Sequence, residues 1–247
     1  MSIPAEPTII TPDWPAPASV RAAQTTRLGG VSRPPFDSFN LAQHTEDVAA
    51  DVMENRRRLR QRLGLLAEPA WLTQVHGVDV VPAAAGPACA DAAWTEQPGV
   101  PCVVMSADCL PVLFCDQAGE VVAAAHAGWR GLVGGVLEAT VAAMGCPPQR
   151  LLAWLGPAIG PEAFEVGGEV RQQFIAADPA AAACFRPSPE GRWLADLYAL
   201  ARQRLTRAGV EAVYGGGFCT VRQAELFFSY RRDGRTGRMA TLIWLER

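Results

Sequence analysis

The order of the apolar segments predicts an α+β fold, a single domain in which helices pack on a large mixed β-sheet. Strand-like and helical segments intermix without regular βαβ alternation, two strand pairs are joined by hairpin-type turns, and no internal repeat is present. At 247 residues and 49% hydrophobic content, the chain is long enough for a substantial core. We expect residues 1–19, which are rich in proline, to be an irregular lead-in, and residues 20–247 to form the domain.

The first predicted strand, residues 20–26, is followed by a long loop that contains Gly, Pro and Ser. Loops of this length in a compact domain are usually functional or mobile. Arg27 and Asn40 are its most notable polar residues. Either they contribute to a binding site or they hydrogen-bond the loop's own backbone.

A helix is predicted over residues 45–63, because four apolar residues recur at helical spacing: Val48, Val52, Leu59 and Leu63. Thr45 or Asp47 is the expected N-cap, and Gly64 is the expected C-terminal stop. The arginines of this helix spread around more than half of its circumference, which indicates a solvated face and not a phosphate site.

Strand-like residues continue at 71–75 and 78–81, where His76 and Gly77 interrupt them. The chain has three histidines, and two of them lie just before a glycine at a predicted strand end: His76 directly precedes Gly77, and His126 lies two residues before Gly128. A lone strand histidine is more often a structural hydrogen-bonding group than a ligand. That interpretation weakens where two such imidazoles and a cysteine converge.

A β-hairpin is predicted next, after a strand over residues 100–105. Residues 112–115 and 121–125 are short apolar runs, and the DQAG segment between them has turn chemistry. Cys109 and His126 lie symmetrically about this turn, so we expect them to face each other at the open end of the hairpin. A bulge at Gly119 would shift that register by one residue.

The remaining elements follow from helical periodicity, caps and turn residues. They are a helix ending at Gly145, a strand at 151–155, helices at about 169–177 and 196–208 with Asp196 as cap, a strand at 212–214, and a closing hairpin of strands 227–232 and 238–245.

His76, Cys109 and His126 are the right number and type of ligands for a catalytic zinc ion with one open position for water. Their spacing matches no short zinc motif. Asp108 could orient a ligand or relay a proton. Two alternatives stay open: Cys109 as a nucleophile with His126 as its base and no metal, or Cys109 as a buried structural thiol.

Composition excludes several classes of partner. A net charge of −3 and a pI of about 5.7 give no electrostatic basis for binding nucleic acid or an anionic membrane. No signal-peptide pattern and no 18-residue uncharged apolar span is present, so we expect a cytoplasmic protein. Seven scattered cysteines indicate reduced thiols.

Several segments, in this order over nearly the whole chain, closely resemble the YfiH family, which is often labelled polyphenol oxidase or laccase-domain protein. They are TTRLGGVS, FNLAQH, TQVHG, ADCLPVLFCD, AAHAGWRG, GPAIGPEAFEVG, Cys219-Thr220 and FFSYRRDGRTGRMATLIWL. The resemblance implies an α+β fold similar to that of a deamidating bacterial toxin of the cytotoxic necrotising factor type. It also implies a metal site whose ligands are His76, Cys109 and His126.

The same resemblance implies activity on purine nucleosides with phosphate: phosphorolysis of adenosine, inosine, guanosine and methylthioadenosine, and deamination of adenosine. One branch of the family is linked instead to peptidoglycan editing, as an amidase that removes L-serine from a nucleotide-linked muramic acid precursor. Carried over by motif, the pocket residues are Arg27, Asn40, His44 and Arg231. Whether the chain is a monomer or a homodimer is left open.

Laccase chemistry is implausible for this sequence, because a multicopper site consumes far more histidines than three. Adenosine deamination suits a Cys/His zinc site with a carboxylate proton shuttle, for which Glu165, Asp108 and Glu225 are the carboxylates to test. Arg27 and Arg231 are the expected phosphate clamps. We therefore expect a zinc-dependent purine nucleoside enzyme. A metal-stabilised binding module with a fourth protein ligand, such as His44 or Cys102, is the non-enzymatic alternative.

Overall fold

A computed structural model describes residues 6–246 of the chain. The strands of this part are β1 (Ile9–Ile10), β2 (Val20–Thr25), β3 (Val80–Pro82), β4 (Ala92–Thr95), β5 (Cys102–Ser106), β6 (Leu110–Asp116), β7 (Val122–Ala127), β8 (Leu151–Leu155), β9 (Glu165–Val166), β10 (Phe185–Pro187), β11 (Trp193–Ala195), β12 (Ala212–Gly215) and β13 (Met239–Leu245). The helices are α1 (Ala49–Leu63), α2 (Trp129–Gly134), α3 (Val136–Ala143), α4 (Gly168–Ala177), α5 (Leu197–Arg207) and α6 (Tyr230–Asp233). None of the helices in this range is long and apolar enough to cross a membrane.

The predicted mixed sheet is confirmed as a six-stranded sheet with the order β12-β8-β6-β7-β4-β3. Its two outer pairs are parallel and its inner pairs are antiparallel. Both faces of this sheet are buried. Successive side chains of a strand point to opposite faces. Val112 and Phe114 of β6 therefore pack in one core, and Leu113 and Cys115 pack in another.

Four layers result from this packing. Helices α3, α4 and α5 cover one face of the six-stranded sheet. A second sheet, with the order β1-β2-β13-β5, packs on the opposite face. The outer side of that second sheet is covered by α1 and by Phe39 and Leu41 of the long loop. A small sheet, β10-β11-β9, lies beside α4. Strand β1 lies within the segment expected to be an irregular lead-in.

The hairpin β6–β7 is confirmed, but its predicted register is wrong by two residues. Pro111, and not Cys109, pairs with His126, because the turn is centred one residue later than predicted. The Asp116 carboxylate accepts hydrogen bonds from the backbone N–H groups of Ala118, Glu120 and Val121, and this network fixes the longer turn. Cys109 consequently lies just beyond the strand, in the connection from β5.

Several other boundaries differ from the sequence predictions. The helix predicted to end at Gly145 is two helices, broken at Gly135, whose φ is 105°. The closing hairpin is wrong, because residues 230–233 form α6 and β13 pairs with β2 and β5. Helix α1 begins after Val48 and has no side-chain cap from Thr45 or Asp47, whereas Gly64 ends it as predicted.

Candidate metal centre and substrate cavity

His76, Cys109 and His126 converge at one point, although they come from three separate segments. His76 lies in the loop before β3, Cys109 directly before β6, and His126 within β7. The potential ligand atoms of the three side chains all lie within 4.8 Å of one another. Cys109 Sγ is 3.7 Å from His76 Nε2, and the two imidazole rings meet edge to face at 77°.

The backbone at the centre adopts conformations that L-residues rarely take. His76 has φ of 62° and Asp108 has φ of 92°. Each such residue is held at a cost of about 1–3 kcal/mol by the structure around it, and residues of this kind cluster at functional sites. At Asp108 the holding contacts are hydrogen bonds to its carboxylate from the Thr220 hydroxyl at 2.5 Å and from the Arg231 backbone N–H at 2.6 Å.

Asp91, which the sequence analysis did not single out, organises two of the three ligands. One of its carboxylate oxygens is 2.8 Å from His126 Nδ1. The same carboxylate accepts hydrogen bonds from the backbone N–H groups of Val75, His76 and Gly77. Residues 71–75 therefore do not form the predicted strand. The Val75 N–H donates to the Asp91 carboxylate, and Thr73 forms a single isolated β-bridge, to Cys89. His126 is left with Nε2 as its free ligand atom.

The donor set fits a bound metal ion. Zinc bonds are about 2.3 Å long to sulfur and 2.0–2.1 Å to nitrogen, so tetrahedral geometry places a sulfur and a nitrogen ligand about 3.6 Å apart. The distance between Cys109 Sγ and His76 Nε2 is close to this, at 3.7 Å. Imidazoles oriented by a carboxylate are typical of metal ligands. Gly128 leaves room for these side chains to converge, because a Cβ at this position would lie 2.8 Å from His76 Cδ2 and 3.0 Å from Cys109 Sγ.

Charge coupling within the centre favours ionised groups. Burial alone would raise the pKa of the Cys109 thiol, but His126 and His76 outweigh burial and lower it. Burial would lower the pKa of His126, but the Cys109 thiolate and Asp91 raise it. The pKa of Asp91 is lowered although burial opposes this, because His126 and the N–H groups of Gly77 and Val75 stabilise its charge. The cysteine is thus ready to serve as a thiolate ligand or nucleophile.

The three residues line a cavity of about 440 Å³, within the usual size range of small-molecule sites. The cavity also contains two of the predicted pocket residues, His44 and Arg231, and the predicted catalytic residue Asp108. Arg238 lines it as well and was missed. The other lining residues are mostly apolar or aromatic: Gln74, Met105, Ser106, Ala107, Ile159, Phe164 and Tyr230.

Arg27 and Asn40 lie outside this cavity lining and hold the long loop. The Arg27 guanidinium donates to the carbonyl oxygens of Asp37 and Ala224 and stacks on Phe228. Asn40 is completely buried, and its Oδ1 accepts the backbone N–H of Arg238. Of the three carboxylates considered for proton transfer, Asp108 lines the cavity, whereas Glu165 and Glu225 do not.

Fold and site together define an α+β protein with a His–Cys–His centre in a cavity of small-molecule size. The family described as "multi-copper polyphenol oxidoreductase laccase" matches residues 21–246. The chain belongs to this family, and within it to the YfiH proteins.

Curated relatives cover nearly the whole chain. A Pseudomonas aeruginosa protein named purine nucleoside phosphorylase is 60% identical over 239 residues, covering 96% of this chain and 98% of the relative. The Escherichia coli protein named purine nucleoside phosphorylase YfiH is 55% identical over 240 residues, with the same two coverages.

Solved structures confirm the fold. The crystal structure of Neisseria meningitidis protein NMB0706 has a TM-score of 0.94 and 54% sequence identity, and it covers 97% of this chain and 99% of that protein. YlmD from Geobacillus stearothermophilus has a TM-score of 0.86 at 33% identity, with 93% of each chain covered.

Proposed function

We propose that this chain is a zinc-dependent purine nucleoside phosphorylase. The observation that carries the proposal is the convergence of His76, Cys109 and His126 in the wall of one cavity, in a chain whose relatives at 55–60% identity are named purine nucleoside phosphorylases. The substrates are adenosine, inosine, guanosine and methylthioadenosine, and phosphate is the second substrate. Deamination of adenosine is a further reaction of the same site.

The lining of the cavity suits a nucleoside. Phe164 and Tyr230 offer aromatic faces and Met105 and Ile159 offer apolar contacts, which are the contacts that purine bases take up. Tyr230 is 61% exposed, so its ring is accessible to a ligand that enters from solvent.

The residues around the centre hold it in one arrangement. Asp91 fixes the ring of His126 with Nε2 towards the cavity, and it fixes the backbone of His76. Asp108 ties the turn that carries Cys109 to Thr220 and α6, and as the one carboxylate in the cavity lining it is the candidate for proton transfer. A bound zinc ion would supply Lewis acidity at this point.

A metal-free hydrolase with Cys109 and His126 as its dyad is the second candidate. The lowered pKa of Cys109 and the raised pKa of His126 favour it, because they describe a thiolate beside an imidazolium. His76 separates the two candidates, since the metal site requires it and the dyad does not.

Copper oxidase chemistry, which the family's description suggests, does not suit this chain. His76, Cys109 and His126 are the one metal-binding group found in residues 6–246, and the sequence has three histidines in all. A multicopper oxidase needs several copper ions and many more imidazoles.

The test is to incubate the purified protein with adenosine, with and without phosphate, and to identify the products by chromatography. We expect adenine that appears only with phosphate, and inosine that appears without it. A Cys109→Ser protein purified in the same way should be inactive, and a Cys89→Ser protein, changed at an exposed cysteine, should be active. Absence of phosphate-dependent adenine, or equal activity in the Cys109→Ser protein, would contradict the proposal.

A further inference from the structure

The Arg238 guanidinium lines the same cavity, and the proposed function assigns it no role. It directly precedes β13, and its backbone N–H donates to Asn40 Oδ1. Its Nη1 donates to the carbonyl oxygens of Thr236 at 2.8 Å and Gly237 at 3.0 Å. The hydrogen bonds of this guanidinium to residues 6–246 all use Nη1. The chain therefore fixes its orientation and leaves the edge formed by Nε and Nη2 available.

The guanidinium forms no salt bridge within the described part of the chain, although the charges of Cys109 and Asp108 act on it. Asp108 is the one carboxylate among the lining residues, and both of its oxygens already accept hydrogen bonds from Thr220 and Arg231. A partly buried guanidinium without a salt-bridge partner is incompletely compensated, so a site of this kind favours a bound anion.

A second cation, Arg231, extends the positive region. Arg231 lines the cavity, and its Nη1 is held by the carbonyl oxygens of Ala163 and Glu165. His44 also lines the cavity, and its pKa is lowered first by burial and then by the charges of Arg238 and Arg56, so its ring is neutral at neutral pH and adds no positive charge. The positive potential of Arg238 thus reaches His44.

We propose that Arg238 binds the phosphate substrate through its Nε–Nη2 edge, with Arg231 as the second cation. A guanidinium edge matches two oxygens of a tetrahedral oxyanion. The role of the anion as a substrate rests on the proposed function, whereas the anion site itself rests on the geometry of Arg238. This assignment replaces Arg27 as a phosphate clamp, because the Arg27 guanidinium is engaged by Asp37 and Ala224.

The direct test is calorimetric titration of the zinc-loaded protein with inorganic phosphate in the absence of nucleoside. We expect Arg238→Gln to weaken phosphate binding about ten-fold or more, since hydrogen bonds to a charged group are lost. Arg238→Lys should give an intermediate loss, because it keeps the charge without the fork. Arg235→Gln is the matched control: Arg235 is exposed, lies in the same segment and pairs with Glu46 outside the cavity, so its phosphate affinity should equal that of the wild type.

Kinetics supply a readout that a purely structural role would not give. Arg238→Gln should raise the KM for phosphate about ten-fold and leave the KM for the nucleoside within about two-fold. If it fails to fold, Arg238→Lys carries the same comparison. Adenosine 5′-monophosphate serves as a competitor, because its phosphoryl group could occupy the same edge. Tight binding of this nucleotide that depends on Arg238, together with phosphate binding that does not, would overturn the assignment to inorganic phosphate.

Different experimental results would contradict the Arg238 anion site and the proposed phosphorylase function. Phosphorolysis with unchanged phosphate affinity and KM in Arg238→Gln would overturn the anion site and leave the function standing. Phosphate binding that depends on Arg238, in a protein that releases no base, would support the site and contradict the function.

Discussion

Asp91 is the residue on which the geometry of the centre most depends. One carboxylate meets the ring of His126 and three consecutive backbone N–H groups of the His76 loop, so it sets the positions of two ligands together. Outer-shell carboxylates of this kind orient imidazole ligands and raise their basicity. The loop would lose the partners of its N–H groups without Asp91, because it forms a single bridge and no strand ladder there.

Gly128 gives the sharpest test at the residue scale. Its φ of −58° is accessible to alanine, so Gly128→Ala adds only a methyl group, and that group would press on His76 and Cys109. We expect metal affinity to fall about ten-fold or more, measured by competition with a chromophoric chelator. Gly217→Ala, which meets nothing within 4 Å, should keep the wild-type affinity. Equal affinities in the two variants would show that the three side chains do not enclose the metal.

The ligands could be predicted at this scale, whereas their support could not. His76 lies one residue and His126 two residues before a glycine at or near a strand end, and Cys109 stands at the open end of a hairpin. Asp91 is a lone carboxylate in an apolar segment, which was a usable indication, but its partners lie in a loop 14 to 16 residues earlier. Arg238 was missed because its neighbour Asn40 is 198 residues away.

At the scale of elements, the turn between β6 and β7 places the centre. The turn residue Asp116 is 2% exposed and holds three backbone N–H groups, so the strands pair with Pro111 opposite His126. A tighter turn would put Cys109 opposite His126, as the sequence analysis expected. Turn chemistry was visible in the sequence. The sequence did not show how long a turn the Asp116 carboxylate would hold together.

We expect Asp116→Ala to lower the free energy of unfolding by about 2–3 kcal/mol at neutral pH, because three buried hydrogen bonds to a charged group are lost. Burial raises the pKa of Asp116, but the N–H groups of Val121, Glu120 and Ala118 outweigh it and lower the pKa. The carboxylate therefore stabilises the fold above its ordinary pKa, and this contribution is lost as pH falls through the lowered value.

Urea unfolding of the wild type and Asp116→Ala should consequently differ most at neutral pH and converge below about pH 4. Gln117→Ala, changed at an exposed neighbour in the same turn, should lie within about 0.5 kcal/mol of the wild type. A difference between wild type and Asp116→Ala that stays constant with pH would show that the carboxylate charge does not stabilise the turn.

For the whole molecule, the class of fold could be predicted from local patterns, but the layering could not. The mixed sheet follows from short apolar runs and helical segments in irregular order. The second sheet joins β2, β5 and β13, which lie near the start, in the middle and near the end of the chain, so no local pattern pairs them. The predicted closing hairpin failed for that reason: β13 finds distant partners, while Ser229 caps a short helix in the segment before it.

The central claim is that His76, Cys109 and His126 together hold a metal ion that the enzyme requires. Elemental analysis of purified wild type and His76→Ala tests it most directly. We expect one equivalent of zinc in the wild type, and in His76→Ala a folded protein with almost no zinc and no phosphorolysis, because His76 is exposed and packs in no core. Full zinc content in His76→Ala, or full turnover of a zinc-free wild type, would contradict the account.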